Sequence, residues 1–243
     1  MIANPKPGNP TGAKSASPIE GPKNKRLPTT PHPELATQPE LPEGWAVVRL
    51  DEVVRPSRAS RCPPPDHNAK IPFIPMALLP NDGLPAIQWE MRSREETRSG
   101  VSFEEWDVLL AKITPCLENG KLGIAAGIPG GRGMTSTEVY PIRTEVVTSE
   151  FLAFFLTLPS TRHGLASKMQ GATGRQRLPK EALDAFPIPV PPLSEQREIA
   201  GMLGAVDAKI AALEARQATL AALFTSLLEH LMTGRLRLPE FRR

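Results

Sequence analysis

Residues 194–234 read SEQREIAGMLGAVDAKIAALEARQATLAALFTSLLEHLMTG, and this stretch predicts one long amphipathic helix. Its large apolar residues recur at steps that alternate between four and three. The average of about 3.5 residues is the repeat of a coiled coil, whereas a helix on a domain surface repeats at about 3.6. About 39 residues at about 1.5 Å each make the helix roughly 58 Å long. The predicted seam consists of Ile199, Leu203, Val206, Ile210, Leu213, Gln217, Leu220, Phe224, Leu227 and Leu231.

This seam needs a partner helix, because the chain contains no second long helical pattern that would cover it. We therefore expect dimerisation through the helix, with the polar Gln217 setting the register. Lys209 and Glu214 flank the seam and would meet across a parallel pair, but one exposed ion pair contributes only about 0.5 kcal/mol. Parallel and antiparallel pairing both stay open, and so does the alternative that the helix packs back on its own domain.

Proline usage divides the rest of the chain. The 243 residues include 28 prolines, and many of them lie at 1–40 together with lysine, serine and threonine. Such a segment lacks the apolar surface that would offset the entropy lost on ordering. We predict a disordered tail at 1–40, a mixed α/β (α+β) domain at 41–190, a proline hinge and long helix at 191–234, and a C-terminal tail at 235–243.

Local patterns predict the elements of the domain. Apolar and β-branched runs indicate strands, and apolar residues at helical spacing indicate helices. The proline-flanked run at 71–75 is predicted as an edge strand, 130–133 as the tip of a hairpin, and 186–192 as a stiff extended connector. Ser194 is the predicted N-cap of the long helix and Gly234 its C′ residue. The other predicted strands lie at 45–50, 108–113, 122–128 and 137–142, and the other predicted helices at 149–169 and 179–186.

Composition and motifs argue against several classes of function. The two cysteines do not form a disulfide framework, and no apolar run approaches the roughly 18 residues of a membrane span. No phosphate-binding loop or catalytic-triad order is present. Cys62 and His67 resemble half of a metal site, but no second half accompanies them. We expect a cytoplasmic, non-catalytic protein with no metal, no cofactor of its own and no membrane partner.

Basic and amide residues gather in the predicted loops. The net charge of +3 and the isoelectric point near 9.0 are a mild basic excess. Arginine and lysine neutralise phosphates, and arginine and glutamine hydrogen-bond to the edges of guanine and adenine. A solvated surface is the competing interpretation. The DNA-binding candidates are Arg92, Arg94, Lys112, Asn119, Lys121, Arg132, Lys168, Arg175, Gln176 and Arg177.

Five runs of the sequence resemble the half-repeat of type I restriction–modification DNA specificity subunits. Their order and spacing agree from residue 41 to the end of the helix, and the last run is the most specific. The runs are LPEGWAVVRLDEVV at 41–54, IPFIPMALL at 71–79, FEEWDVLLAKITPCLENGKLGIA at 103–125, STEVYPIR at 136–143 and GATGRQRLPKEALDAFPIPVPPLSEQREIAGMLGAVDAKI at 171–210.

The resemblance implies a target recognition domain followed by a coiled-coil helix. In that family two such halves lie in one chain, their helices pair antiparallel, and each domain reads one half of a bipartite DNA site. The resemblance also implies partner subunits, a methyltransferase and in some systems a nuclease, which bind S-adenosylmethionine and ATP and carry out catalysis. The chain departs from the family by holding a single half, by its proline-rich tail, and by Trp106 before Asp107, where the family usually has a glycine.

Together these observations predict a specificity subunit that contacts double-stranded DNA, pairs with a second copy through its helix and directs a methyltransferase complex. A twofold dimer would prefer an inverted-repeat site. Two alternatives stay open. One is a truncated half that serves only as a coiled-coil partner or regulator of a full-length specificity subunit. The other is a specificity unit for a fused or different methyltransferase system.

Overall fold

The computed structural model describes residues 41–56, 70–81, 84, 87–172 and 174–241. The tail predicted at 1–40 and the pair Cys62 and His67 lie outside these residues. The strands are β1 (Ala46–Arg49), β2 (Val54–Pro56), β3 (Ile71–Ile74), β4 (Glu90–Arg92), β5 (Val101–Glu104), β6 (Val108–Ala111), β7 (Leu122–Ile124), β8 (Arg132–Thr135), β9 (Val139–Thr144) and β10 (Pro187–Val190). The helices are α1 (Leu50–Val53), α2 (Ser149–Thr157), α3 (Pro159–Ala166), α4 (Lys180–Asp184) and α5 (Leu193–Met232).

Two four-stranded sheets form the centre of the domain. The first has the order β2-β9-β6-β7, and all its pairs are antiparallel. The second has the order β4-β3-β8-β5, in which β3 and β8 are parallel. Strands β1 and β10 form a separate antiparallel ribbon, which brings the start of the domain against its end. This arrangement confirms the predicted mixed α/β domain followed by a long helix.

Strand β6 separates two hydrophobic cores. Val108 and Leu110 lie in a core shared with the helices and the ribbon, whereas Leu109 lies in a second core between the two sheets, beside Phe103. Successive side chains of a strand point to opposite faces, so a strand covered on both sides has no polar alternation. Each fully buried leucine contributes about 1.5–3 kcal/mol. The buried strand predicted at 108–113 is therefore confirmed.

The run at 71–75 forms a strand as predicted, but the prediction of an edge position is wrong. Strand β3 pairs with β4 on one side and with β8 on the other. The register with β8 covers Phe73 and Ile74 and does not include Pro72. The amide that proline lacks thus falls outside this pairing, and the proline is tolerated inside the sheet.

The glycines at 130–133 do not form the tip of a hairpin, because the two strands they join belong to different sheets. A 3₁₀ turn at Pro129–Gly131 delivers the chain into β8. At Gly133 a Cβ atom would lie 2.6 Å from both the Phe103 ring and the Pro72 carbonyl oxygen. The glycines therefore carry the chain from one sheet to the other and allow the second sheet to pack closely.

The helix predicted at 149–169 is in fact two helices. Thr148 caps α2 by accepting a hydrogen bond from the Phe151 amide at 3.1 Å. Leu158 is extended, with φ −55° and ψ 132°, because the following Pro159 disfavours a helical conformation there. The proline then begins α3, where its fixed φ suits the first turn.

The connector predicted at 186–192 is extended, but it is not a free hinge. Its residues Pro187–Val190 form β10 and pair with β1 in register. Ile188 and Val190 are buried, and the two prolines occupy the alternate positions. The chain is therefore held against the domain up to the last residues before α5.

Helix α5 is 40 residues long without a break, so the predicted long helix is confirmed. It begins at Leu193 after Pro192, and no side chain caps it, so Ser194 lies inside the first turn and is not the N-cap. Gly234 has a φ of +69° and occupies the C′ position as predicted.

Trp106 has a left-handed backbone, with a φ of +71°. An L-residue pays about 1–2 kcal/mol for this conformation, which explains why a glycine suits the position. Two hydrogen bonds hold the backbone there: the Trp106 amide donates to the Ala125 carbonyl at 2.8 Å, and the Ser149 hydroxyl donates to the Trp106 carbonyl at 2.7 Å. The turn into β6 thus keeps the conformation suited to glycine although a tryptophan occupies it.

Candidate nucleic-acid interface

A polar loop after α3 is fastened to the end of β6 by backbone hydrogen bonds. Gln170 and Arg177 close the loop on itself with two backbone hydrogen bonds, at 2.9 and 2.8 Å. The attachment to β6 comes from the Leu178 amide, which donates to the Lys112 carbonyl at 2.8 Å. Gly171 has a φ of +130°, and a Cβ atom there would lie 2.9 Å from the Arg175 carbonyl oxygen, so glycine is needed for the tight fold. The loop cluster, as we name it, consists of Lys112, Lys168, Arg175, Gln176 and Arg177.

The charges in the loop cluster are not equivalent. Lys168 and Arg175 are exposed at the surface. Arg177 is also exposed, but it forms a two-pronged ion pair with Glu138, with nitrogen–oxygen distances of 2.7 and 2.9 Å. This hydrogen bonding, more than the Coulomb attraction, lowers the pKa of Glu138, so the carboxylate stays ionised and compensates the arginine.

Lys112 lies at the inner side of the loop cluster. Its ammonium group lies 4.6 Å from the centre of the Tyr140 ring, a cation–π arrangement. The Tyr140 hydroxyl donates to the Leu178 carbonyl at 2.9 Å, and burial raises the pKa of the tyrosine. The tyrosine therefore remains a neutral donor that ties the loop to β9.

Lys121 has a different role from the one predicted. Its ammonium group donates to the carbonyl oxygens of Met76 and Leu79, both at 3.0 Å, in a half-buried position. Lysine has three donors, and here two of them hold a loop. The structure thus places Lys121 as a clamp inside the domain, while Asn119 is exposed on the neighbouring turn.

Arg92 and Arg132 lie on the second sheet, and Arg94 lies in the turn after β4. All three are apart from the loop cluster in the chain. Arg92 lies 4.1 Å from the centre of the Phe73 ring and forms an ion pair with Glu90. Arg94 and Arg132 are exposed. Two exposed apolar side chains that the sequence pattern did not single out lie at the same edge: Met91 of β4, at 43%, and Trp89 just before it, at 37%.

The predicted seam is exposed along most of α5. The exposed fraction ranges from 40% at Leu227 to 68% at Phe224. Ile199 is the exception, because it is partly buried and packs against the core of the domain. The first turns of α5 rest on the domain, and the remaining length projects from it, so the helix does not pack back on its own domain as a whole.

A family model described as the type I restriction modification DNA specificity domain matches residues 42–222. The chain belongs to this family. The match therefore covers both the domain predicted at 41–190 and most of the helix that follows it.

Curated relatives are specificity subunits of type I restriction enzymes from Escherichia coli. The EcoEI subunit is 35% identical over 167 residues, which are 67% of this chain and 27% of that protein. The EcoAI subunit is 30% identical over 175 residues, which are 70% of this chain and 29% of that protein. The chain thus spans less than a third of the length of these relatives.

The fold matches a solved structure, the HsdS subunit from Thermoanaerobacter tengcongensis. The TM-score is 0.60 at 23% identity, and the match includes 84% of this chain and 53% of that one. At this identity the likeness concerns the fold alone. It agrees with the DNA specificity domain described here: two sheets, a ribbon and one projecting helix.

Sequence reasoning missed the polar groups that hold this specificity domain together. Gln196 is 1% exposed and Asp107 is fully buried, yet both lie in runs that the resemblance already included. A polar residue in the turn before a buried strand, such as Asp107, is the signal that would have drawn attention to one of them. Among the described residues, no group of three or more His, Cys, Asp or Glu side chains is placed to hold a metal, and no helix is long and apolar enough to cross a membrane.

Proposed function

We propose that the chain is a non-catalytic specificity subunit that binds double-stranded DNA and directs a type I restriction–modification complex. The observation that carries the proposal is the combination of one specificity domain with one helix whose seam is exposed from Leu203 to Leu231. In this proposal a second copy supplies the partner helix that covers the seam. The pair then presents two identical domains, and a twofold dimer prefers an inverted-repeat site.

The loop cluster supports DNA contact through phosphates and base edges. Arg175 and Lys168 have exposed cationic side chains, and Gln176 provides an amide beside them. Cations contribute affinity, and amide or guanidinium groups contribute base discrimination. Methylation and any cleavage are assigned to partner subunits, which bind S-adenosylmethionine and ATP.

The test is site selection from a random duplex library with the purified full chain, combined with light scattering. We expect a dimer that enriches an inverted repeat. An asymmetric bipartite site overturns the homodimer. A chain that enriches no site but associates with a full-length specificity subunit supports the alternative of a coiled-coil regulator.

The Glu138–Arg177 ion pair leads to a separate prediction about DNA affinity. Replacing Glu138 with Gln releases the Arg177 guanidinium, and we expect DNA affinity to rise several-fold. The slope of log K against log salt concentration should become steeper by about 0.9, the value for one added phosphate contact. Replacing Arg177 with Ala should change affinity less than replacing the exposed Arg175, because Arg177 is already compensated. Fluorescence anisotropy over a salt series measures both effects. Glu198→Gln, which removes an exposed carboxylate from α5, is the control, and unchanged binding by Glu138→Gln would remove Arg177 from the interface.

A further inference from the structure

Helix α5 is attached to the domain at two levels along its axis. At the first level Gln196, which is 1% exposed, accepts a hydrogen bond from the Thr148 amide at 3.0 Å and donates one to the Pro191 carbonyl at 2.9 Å. Beside it, the Trp45 indole donates to Glu195 at 3.1 Å. Because Thr148 is the N-cap of α2, the two helix N-termini are fastened to each other.

The second level is Asp207. Its carboxylate accepts a hydrogen bond from the Leu84 amide at 2.5 Å, and Leu84 packs against the core of the domain. Of the α5 residues after Ala200, all others except Gly204 are exposed. Asp207 therefore fastens a part of the helix that otherwise faces solvent.

Two attachments along a rod fix its direction, whereas one attachment leaves it free to pivot. The distance from Gln196 to Asp207 is about 16 Å along the axis, and about 37 Å of helix continue beyond Asp207. A tilt of about 5° at the domain would displace the far end by about 3 Å. That displacement is close to the roughly 3.4 Å rise of one base pair.

We infer that Asp207 is a positioning residue that holds the angle of α5 and thereby selects the spacer between the two DNA half-sites. The inference rests on the proposed function, since it needs two domains joined by their helices. Asp207 need not contact DNA. It acts through the Leu84 amide on the direction of the helix, and the helix sets where the second domain lies.

The test compares Asp207→Ala with two matched variants. Glu198→Ala removes the same charge nine residues earlier on α5, where the side chain is exposed and lies outside the seam. Asp207→Asn removes the charge but keeps an oxygen that accepts the Leu84 hydrogen bond. We expect the angle between α5 and the domain to become variable in Asp207→Ala and to stay fixed in both matched variants.

The first readout is the width of a spin-label distance distribution between Cys introduced at Ser160 and at Ser226, with Cys62 and Cys116 replaced by Ser. Excess unlabelled chain ensures that only distances within one chain are measured. The second readout is affinity for inverted repeats of the selected half-site, with spacers changed one base pair at a time. We expect wild type to bind the preferred spacer about tenfold more tightly than its neighbours. In Asp207→Ala this preference should fall below about threefold. The affinity of the variant for a single half-site should stay within about twofold of the wild-type value.

The two readouts separate the inference from the proposal on which it rests. A distance distribution that stays narrow in Asp207→Ala, or a spacer preference that stays at the wild-type value, overturns the positioning role. A distribution that broadens while wild type shows no spacer preference overturns the proposed pairing on DNA, and with it the spacer role, although the attachment itself is then demonstrated.

Discussion

Replacing both Leu213 and Leu220 with Asp is expected to convert the proposed dimer to a monomer whose domain stays folded. Both leucines lie on the exposed seam, at 52% and 55% exposure, and neither belongs to a core of the domain. In the paired state the double variant would place four carboxylates in an apolar seam, where unpaired charges cost several kcal/mol each. We expect the dissociation constant to rise by at least about a thousandfold, which corresponds to about 4 kcal/mol.

Sedimentation equilibrium measures this change, and circular dichroism and thermal unfolding report on the domain. The matched control is Ala211→Asp with Ala218→Asp, which adds the same charges to exposed positions of α5 outside the seam. The control should remain dimeric. Dimers that persist in the leucine variant, or a control that dissociates equally, would show that the seam is assigned to the wrong face.

Replacing Asp107 with Ala is expected to lower the free energy of unfolding by about 2–3 kcal/mol, because it leaves buried and half-buried donors without their acceptor. Asp107 is fully buried, accepts a hydrogen bond from the Glu104 amide at 2.8 Å, and receives another from Arg143 at 2.5 Å. Its loss leaves an amide and a half-buried guanidinium without this partner. It also loosens the turn in which Trp106 holds a left-handed backbone.

Urea unfolding of the variant and of Glu105→Ala tests this prediction. Glu105 lies in the same turn and accepts one exposed hydrogen bond, from the Gly127 amide at 3.1 Å, so its replacement should cost about 1 kcal/mol or less. Losses of similar size for the two variants would show that Asp107 is not the residue that secures the turn. Neither Asp107→Ala nor Glu105→Ala alters the seam of α5, so we expect both variants to keep the oligomeric state of the wild type.

Local sequence rules predicted those elements whose conformation depends on neighbours in the chain. The buried strand β6, the cap at Gly234 and the extended run before α5 all follow from local spacing and proline or glycine chemistry. The break at Leu158 was not predicted, although it follows from the same kind of local rule, because Pro159 restricts the residue before it. These rules say nothing about which strands become neighbours.

The candidate site was predicted in composition but not in arrangement. Positive charge and loop position singled out Lys121 and Arg177 equally with Arg175. The structure instead uses Lys121 to hold the carbonyls of Met76 and Leu79, which lie more than 40 residues earlier in the chain. It compensates Arg177 with a distant carboxylate, Glu138. A basic residue in a loop is available to DNA only when no tertiary partner uses its charge.

The sequence by itself determined the long helix, its heptad seam and the family to which the chain belongs. A heptad seam depends only on residues a few positions apart, so the spacing of apolar residues shows it directly. Tertiary structure alone decided that β3 is internal, that the glycine turn at 130–133 joins two sheets, that Ile199 packs against the core, and that Asp207 fastens α5 to the domain. Each of these contacts joins residues far apart in the chain, and such contacts form only when the whole domain packs.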